Sequence, residues 1–369
     1  MTINTLLQRQ QRYFHLSSQI ALLDNTQLLA LFETPDTESS WGINQQISID
    51  DATIFVKRIP LTQIEYERMF STKNVYELPT FYQYGFGSAG FGSFRELAVQ
   101  IKTSNWVLAG EIETFPLLYH YRVIPSARQK TEVDMAYHER FVAYWGSNEN
   151  IGRHTLDRAN PPYELVLFLE HFPYTVGKWL LEHPNKTPMV MADMHATINF
   201  LQNHGINHLD VHFFNMLTDE KRVYLTDFGL AQDKQFELTP EERQFYDQHT
   251  EYDYGHLLWG LGYQMHVMYK ALSDEAQQCI LEKYGLLEGA GFEELMVVFL
   301  NNIEELVITG LMTFERNYIE QILKYHHVIT FMHDFYVAMR SNPQKDSFFD
   351  QVKLKQLLMT CGFTGEHIS

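Results

Sequence analysis

The sequence predicts an α+β fold, in which a small sheet-rich part precedes a larger helical part. Two segments have strand character: residues 51–60 are rich in β-branched side chains, and residues 164–170 form a continuous apolar run. A helical pattern covers residues 93–107 between them, and beyond residue 250 the pattern is helical only. Strands first and helices afterwards indicate segregated layers of sheet and helix.

The remaining elements follow the same order. The apolar strand that ends at residue 170 is expected at the junction, so the two domains are predicted at 1–170 and 171–369. The other predicted elements are a helix at 3–15, a strand-like run at 27–32, a polar loop at 33–42, a strand at 115–123, a helix at 131–145 and a short strand at 223–226.

Composition and charge restrict the class of protein. The chain has 369 residues, of which 45% are hydrophobic, so it can bury enough core for two domains. Its formal net charge of −18 repels nucleic-acid phosphates and anionic lipid, so neither nucleic acid nor membrane is an expected partner. A site for a polyanionic ligand must therefore gather its own positive charge.

The cysteines and the N-terminus indicate the compartment. Cys279 and Cys361 are far apart and lack CxxC spacing, which argues against a disulfide framework or a zinc site. There is no apolar run of about eighteen residues, and the first residues lack the basic and apolar regions of a secretory signal. A reducing cytoplasm is therefore expected.

Candidate chemistry is concentrated in residues 206–229. Asp210 and Asn215 lie in a loop after a helix, and Asp227 ends a short strand further along, so a hairpin between them would bring Asp227 back beside the loop. A carboxylate can orient a hydroxyl and accept its proton, while hard oxygen ligands hold Mg²⁺ against phosphates. The pattern therefore predicts phosphoryl transfer.

Residues 208–215 (HLDVHFFN) and 227–229 (DFG) resemble the catalytic loop and Asp-Phe-Gly motif of the protein-kinase-like superfamily. The second histidine is also similar to that of the aminoglycoside and choline kinase branch. The resemblance implies a bilobal fold, with a small sheet-rich N-lobe and a larger helical C-lobe, that binds ATP and Mg²⁺. It implies Asp210 as the catalytic base, Asn215 and Asp227 as Mg²⁺ ligands, and His208 as a support for the loop.

Three further positions have roles that the same resemblance implies. His212 replaces the lysine of Ser/Thr kinases, and an imidazole can donate one hydrogen bond to the γ-phosphate. Leu209 replaces the arginine of kinases that activation-loop phosphorylation switches on, so control by that route is not expected. Asp253 is a candidate for the helix aspartate that holds the catalytic loop, with a helix cap as the alternative.

Two lysines are candidates for the residue that pairs the α- and β-phosphates. Lys57 lies in the first predicted strand and could instead be a solvent-facing lysine of an edge strand. Lys102 matches the family's VAIK motif by letters, but its surroundings read as a helix. The glutamate that pairs with the lysine is expected to be Glu96, which could alternatively complete a capping box with Ser93, or else Glu67.

The loops that would contact a nucleotide are less regular. The phosphate-covering loop is expected near residues 39–42, where only one glycine is present. Residues 85–90 match GxGxxG, but that motif suits a dinucleotide-binding turn only after a strand, so a flexible loop leading into the helix is expected. Glu170 and Phe172 lie in a segment that resembles the hinge, whose backbone reads adenine.

The sequence thus predicts an ATP- and Mg²⁺-dependent phosphotransferase that acts on protein serine or threonine hydroxyls. A small-molecule kinase of the aminoglycoside or choline kinase type is an alternative, because of His212 and the missing Ala-Pro-Glu motif after Gly229. A pseudokinase that serves as a nucleotide-binding scaffold is a second alternative, because of the glycine-poor loop.

Overall fold

The chain forms two compact units in this computed structural model, which describes residues 5–32, 37–39, 42–126, 128 and 132–364. The first unit comprises Met1–Phe172 and Thr226–Phe245, and the second comprises Pro173–Leu225 and Tyr246–Ser369. The chain therefore leaves the first unit close to the predicted domain boundary and returns to it for residues 226–245. Antiparallel sheet and helices together confirm the α+β class.

A five-stranded antiparallel sheet lies in the first unit, with the order β1-β2-β3-β5-β4. Its strands are β1 (Thr37–Ser39), β2 (Gly42–Ile49), β3 (Ala52–Leu61), β4 (Leu118–Pro125) and β5 (Tyr163–Glu170). Lys57 lies in β3 opposite Asn44 of β2 and Leu167 of β5. Since β3 is hydrogen-bonded on both sides, the edge-strand interpretation of Lys57 is wrong.

Six helices accompany the sheet in the described part of Met1–Phe172. They are α1 (Leu6–Leu22), α2 (Asn25–Ala30), α3 (Gln63–Glu67), α4 (Ser93–Ala109), α5 (Met135–Tyr144) and α6 (Glu149–Ala159). The predicted strand-like run at 27–32 is wrong, because Asp24 begins a helix there. Its side chain accepts from Gln27 N at 2.8 Å, and the Gln27 side chain accepts from Asp24 N at 2.9 Å, which is a capping box.

Helix α4 packs on one face of the sheet. Apolar side chains of β3, β4 and β5 alternate toward it, as expected of strands with one covered face. The buried cluster consists of Ile59, Leu61, Phe94, Leu97, Leu118, Leu165, Leu167 and Leu169. A second buried cluster, rich in aromatic rings, consists of Tyr76, Leu78, Tyr82, Phe91, Trp145 and Ile151. It anchors the segment between α3 and α4 against α5 and α6.

The second unit is mainly helical. Its antiparallel sheet has the order β6-β8-β9, where β6 is Tyr174–Thr175, β8 is Met216–Thr218 and β9 is Val223–Leu225. Two-residue strands, β7 (Ile206–Asn207) and β10 (Gln232–Asp233), are also present in the chain. The expected hairpin before Asp227 is thus formed by β8 and β9.

Helix α10 is the central helix of the second unit. The later helices are α7 (Val176–Glu182), α8 (Thr187–Asn203), α9 (Pro240–Asp247), α10 (Tyr252–Lys270), α11 (Asp274–Lys283), α12 (Phe292–Ile308), α13 (Arg316–Ser341) and α14 (Gln351–Cys361). Tyr318 of α13 donates to Leu261 O of α10 at 2.6 Å, and most of α10 is buried. Within the described residues, we find no helix with the length and apolarity needed to cross a membrane.

Candidate functional site

Lys57 lies at the centre of an ion-paired cluster in the first unit. Its Nζ donates to Glu96 Oε1 at 2.7 Å and to Asp227 Oδ1 at 2.9 Å. Strand β3, helix α4 and the segment after β9 each supply one of these three side chains. Residues that are 39 and 170 positions apart in the chain therefore meet in one charged group.

The charges in this cluster stabilise the lysine as an ammonium ion. Burial by itself lowers the pKa of Lys57, but the negative charges of Asp227 and Glu96 outweigh it, so the pKa of Lys57 is raised. Burial also raises the pKa of Glu96, and the opposing charge of Lys57 does not reverse this. Two carboxylates against one ammonium leave the ionised cluster with an excess negative charge, which favours a cation nearby.

Glu96 belongs to this cluster and not to a capping box. Helix α4 follows Gly92, and the backbone N–H of Ser93 in its first turn donates to Glu65 Oε1 at 3.0 Å and not to Glu96. Ser93 Oγ instead donates to Pro60 O at 3.2 Å. Glu67, the other candidate, is exposed and accepts from Gln63 Nε2 at 2.8 Å. The capping interpretation of Glu96 is therefore wrong, and the lysine–glutamate contact is present.

Lys102 has different partners from Lys57. Its Nζ donates to the buried carboxylate of Asp233 and to Gln235 Oε1, the latter at 2.7 Å. Both partners lie in the returning segment Thr226–Phe245 of the first unit. Lys102 therefore joins helix α4 to this segment, while Lys57 alone of the two contacts Glu96 and Asp227.

Asp227 has a backbone conformation that is uncommon for a residue other than glycine, with φ of +64°. Aspartate tolerates this region better than most residues, and such conformations concentrate at functional sites. Gly229 N donates to Asp227 Oδ1 at 3.3 Å, and the Phe228 ring is buried with its centroid 6.0 Å from that of Phe115. The Asp227 side chain is 44% exposed, so solvent or a ligand can reach it.

In the second unit, Asp253 holds the loop that begins at His208. Asp253 lies in the first turn of α10, and its oxygens accept from His208 N at 2.7 Å and Leu209 N at 2.8 Å. These bonds stabilise the positive φ of Leu209, +64°. Burial raises the pKa of Asp253 to about 7, against the opposing effect of the two N–H donors. The contact expected of the helix aspartate is thus present.

Asp210 and Asn215 are joined by hydrogen bonds. Asn215 Nδ2 donates to Asp210 O at 3.1 Å and to Asp210 Oδ2 at 2.8 Å, which fixes both side chains on the loop. Since the amide nitrogen is directed toward Asp210, the amide oxygen is the atom of Asn215 that can ligate a metal. Asp210 N donates to His208 Nδ1 at 3.3 Å, so His208 supports the loop from within the core.

His212 is oriented by its own backbone. Its Nδ1 accepts from Phe214 N at 3.2 Å, so a neutral ring carries its proton on Nε2. That Nε2 lies 3.6 Å from Asp210 Oδ1, which is longer than a hydrogen bond but within ion-pair distance of the carboxylate. The buried His256 is adjacent, and burial lowers its pKa well below the ordinary value. The His256 ring beside His212 is therefore neutral.

The segment that resembles a hinge is held in place by a side chain of helix α1. Arg9 of α1 is buried and donates to both carboxylate oxygens of Glu170, the closest contact being 2.7 Å from Nη2 to Oε2. The backbone N–H of Glu170 donates to Leu117 O at 2.8 Å. The N–H and side chain of Glu170 are therefore used within the protein, and Phe172, the other expected contact, is buried at the end of this unit's first segment.

The two loops expected near phosphates have different outcomes. Residues 85–90 follow a short 3₁₀ helix, Thr80–Gln83, and not a strand, so the condition for a dinucleotide-binding turn is not met. They lead into α4, as predicted. The phosphate-covering loop expected near residues 39–42 includes residues 40 and 41, which lie outside the described residues.

Each unit has an oxygen atom of the kind that Mg²⁺ prefers. Asp227 in the first unit offers an accessible carboxylate, and Asn215 in the second unit offers an amide oxygen. In the part of the chain that the structure describes, no three His, Cys, Asp or Glu side chains form a group able to hold a metal ion. Mg²⁺ commonly completes its coordination with phosphate oxygens and water.

Comparison with known proteins adds no family assignment. Neither the scan against protein-family models nor the search of curated proteins finds a match.

Sequence reasoning missed several buried charged residues around these groups. Arg9 lies in an ordinary amphipathic helix, and nothing in its local pattern indicates that it reaches Glu170. Arg95 Nη1 lies 2.6 Å from Glu242 Oε1, an ion pair whose members are both 2% exposed. Their charge alone predicts exposure, since arginine and glutamate are rarely buried unless paired. The one sequence feature that could have pointed to a role for Arg95 near the site is its position next to Glu96.

Proposed function

We propose that this chain is an ATP- and Mg²⁺-dependent phosphotransferase with a bilobal protein-kinase-like fold. The observation that carries the proposal is the cluster of Lys57, Glu96 and Asp227, with both carboxylates within 3 Å of the ammonium. The motifs suggested these residues from separate parts of the sequence. Their meeting in one charged group supports the roles that the resemblance implies for them.

Each member of the cluster has a role in this proposal. Lys57 neutralises the α- and β-phosphates of ATP, Glu96 orients Lys57, and Asp227 ligates Mg²⁺. The two carboxylates support this assignment, since their charges keep the buried Lys57 ionised against the lowering effect of burial on its pKa. Mg²⁺ supplies neutralisation of the phosphate charge. The backbone of the segment ending in Phe172 receives adenine.

Asp210 is the catalytic base in the proposal, and Asn215 is a second metal ligand. The acceptor hydroxyl gives its proton to Asp210, its oxygen forms the new bond to the γ-phosphorus, and the old P–O bond breaks with its electrons leaving on ADP. Asn215 supports this role because it fixes one oxygen of Asp210 by a 2.8 Å hydrogen bond. His212, 3.6 Å from the other oxygen, donates from Nε2 to the γ-phosphate.

We take a protein serine or threonine as the acceptor, on the order and spacing of the motifs. A small hydroxyl compound is the second candidate, and His212 favours it, since this histidine is shared with the small-molecule branch. The cytoplasm is the proposed compartment on the same sequence grounds. The two acceptor classes differ in one measurable product: phosphoserine or phosphothreonine in the first case, and a phosphorylated small molecule in the second.

The first test compares Asp210→Asn with Asp274→Asn. Both remove one negative charge, but Asp274 is an exposed residue at the start of α11. We expect Asp210→Asn to lower the rate of ATP-dependent phosphorylation by roughly 100- to 10,000-fold, which is the usual contribution of a general base. Binding of Mg²⁺–ATP, measured by calorimetry, should stay within a few-fold, because Asp210 is assigned to the acceptor and not to the nucleotide.

Three results would be decisive against parts of the proposal. If the unmodified protein does not bind Mg²⁺–ATP, the nucleotide-binding function is wrong. If it binds but transfers no phosphate to a cell extract or to itself, the pseudokinase alternative is correct. Equal transfer rates in Asp210→Asn and Asp274→Asn would remove Asp210 as the base. Labelled products in the small-molecule fraction alone would select the second acceptor class.

A further inference from the structure

The glycine-rich turn, residues 85–92, packs against the backbone of the Asp-Phe-Gly segment. Gly90 has a φ of +72°, and a Cβ built on it would collide with the carbonyl oxygen of Gly229 and lie 3.1 Å from its carbonyl carbon. Two backbones thus touch at a place where no side chain fits. Gly87 in the same turn has a φ of +88°, yet a Cβ there meets nothing within 4 Å.

The turn itself is held by buried groups. Tyr82, in the aromatic cluster with Trp145, accepts at its hydroxyl oxygen from Ala89 N at 3.2 Å. Gln83 is buried, and its Nε2 donates to Leu230 O, just beyond the Asp-Phe-Gly segment. The turn therefore contacts Gly229 through its backbone, and Gln83, just before the turn, bonds to Leu230. The sequence predicts a flexible loop here, and the described contacts hold its Ala89–Gly90 end, while Gly85 and Gly87 are exposed.

Helix α4, which follows the turn directly, is tied to the same returning segment. Arg95 forms the buried ion pair with Glu242, and Lys102 bonds to Asp233 and Gln235. The returning segment, which carries Asp227, is thus attached to the glycine-rich turn and to helix α4, which contains Glu96. All these contacts lie within the first unit.

We propose that the glycine-rich turn is a built-in brace that keeps Asp227 beside Lys57, with Gly90 and Gln83 as positioning residues for Asp227. The brace needs no phosphorylated residue. The inference rests on the proposed function, in that Asp227 is taken as the Mg²⁺ ligand whose position matters.

The test compares Gly90→Ala with Gly87→Ala in the full-length chain. Both place a side chain at a positive φ, so both add a comparable backbone strain, but only alanine at 90 pushes against Gly229. We expect Gly90→Ala to speed hydrogen exchange in residues 226–231 without nucleotide, to raise the Mg²⁺ concentration for half-maximal activity, and to lower turnover about 100-fold, the effect of a misplacement near 1 Å. Gly87→Ala should stay within about twofold.

The exchange readout does not depend on ATP, so it separates the two ideas. If the unmodified chain binds no Mg²⁺–ATP, the proposed function fails, and the brace is then judged on exchange alone. Equal exchange in the two alanine variants overturns the brace, and so does an unchanged Mg²⁺ requirement in an active Gly90→Ala. Should Gly90→Ala not fold, Gln83→Met removes the bond to Leu230 O at similar volume, and protection of 226–231 equal to that of the unmodified chain overturns it.

Discussion

The Glu96 carboxylate lies in a nearly water-free position, 6% exposed, with an ammonium 2.7 Å away. An isolated charge at such a position is strongly disfavoured, whereas an ion pair with hydrogen bonds is tolerated. A cap at the helix surface would have needed no such partner. Burial therefore decides between the two uses of Glu96 that local sequence allows, and it selects the pair with Lys57.

At this scale we predict different outcomes for Glu96→Gln and Glu67→Gln. Glutamine at 96 keeps the shape but removes the charge that pairs with Lys57, so the pKa of Lys57 should fall. Phosphotransfer should fall roughly 10- to 100-fold, because a charge-assisted hydrogen bond contributes about 1.5–3 kcal/mol. The change in pKa is measured by the pH dependence of Lys57 labelling with an amine-reactive reagent and mass spectrometry.

Glu67→Gln is the matched control, because Glu67 is exposed and its carboxylate accepts a hydrogen bond from Gln63 Nε2. Both its activity and the labelling profile of Lys57 should equal those of the unmodified chain. If both glutamine variants keep the activity of the unmodified chain, the ion pair between Glu96 and Lys57 does not contribute to phosphotransfer. If Glu67→Gln alone loses activity, the lysine's partner has been assigned to the wrong glutamate.

At the scale of elements, helix α4 and the returning segment 226–245 depend on each other. The Arg95–Glu242 pair is buried on both sides, and its orientation is that of an ion pair rather than of a linear hydrogen bond. Arg95 Nε also donates to Thr72 O at 2.7 Å. Removing one charge leaves the other buried without its partner, which is the expensive case for an ion pair.

We therefore predict strong coupling between Arg95→Met and Glu242→Gln. Each single change should lower the free energy of unfolding by about 3–5 kcal/mol, since each strands a buried charge. The double variant should lose at least ~1 kcal/mol less than the sum, because no charge is then left without a partner. Chemical denaturation of the four proteins measures this coupling.

The exposed pair Arg316–Glu320 on α13 is the comparison, with its charges 2.9 Å apart at helical spacing. Its coupling should be at most about 0.5 kcal/mol, because water screens both charges. Coupling as small at Arg95–Glu242 as at the exposed pair would mean that α4 and the returning segment are not held together by this contact.

At the scale of the molecule, the two units are interleaved in the chain. The first unit is completed only by residues 226–245, which follow more than fifty residues that belong to the second unit. Those twenty residues bring Asp227, Asp233 and Glu242, the partners of Lys57, Lys102 and Arg95. Without these residues, Lys102 and Arg95 lose their carboxylate partners, and Lys57 keeps Glu96 but loses Asp227.

From this arrangement we predict that a fragment of residues 1–172 does not fold as the first unit. Joining residues 226–245 to it through a flexible glycine–serine linker should restore a cooperative unfolding transition, because the missing carboxylates return. Protease resistance and thermal unfolding measure both fragments. The same fusion with Asp233 and Glu242 changed to alanine is the control and should remain unfolded.

A fragment 1–172 that is as resistant to protease as the linked version would contradict the prediction. It would mean that the sheet and α4 suffice, and that the returning segment only adds to a finished unit.

The strand around Lys57, the strand that ends at Glu170 and helix α4 were predictable, and the two failures have different causes. The run at 27–32 has strand-like composition, but the capping box from Asp24 and the burial of Leu28 make it a helix. The choice between Lys57 and Lys102 likewise could not be made from letters. It depends on which carboxylates lie near each ammonium, and those carboxylates come from 39 to 170 positions away.

The sequence by itself determined the α+β class, the main strands around Lys57 and Glu170, and the set of polar residues at 208–229. These features are local, since they follow from periodicity and from the side chains that a given chemistry needs. Only the tertiary structure decided that Glu96 pairs with Lys57, that Arg9 binds Glu170, and that Gly90 touches Gly229. Such contacts depend on distances between residues that are far apart in the chain, and the sequence around each residue does not indicate these distances.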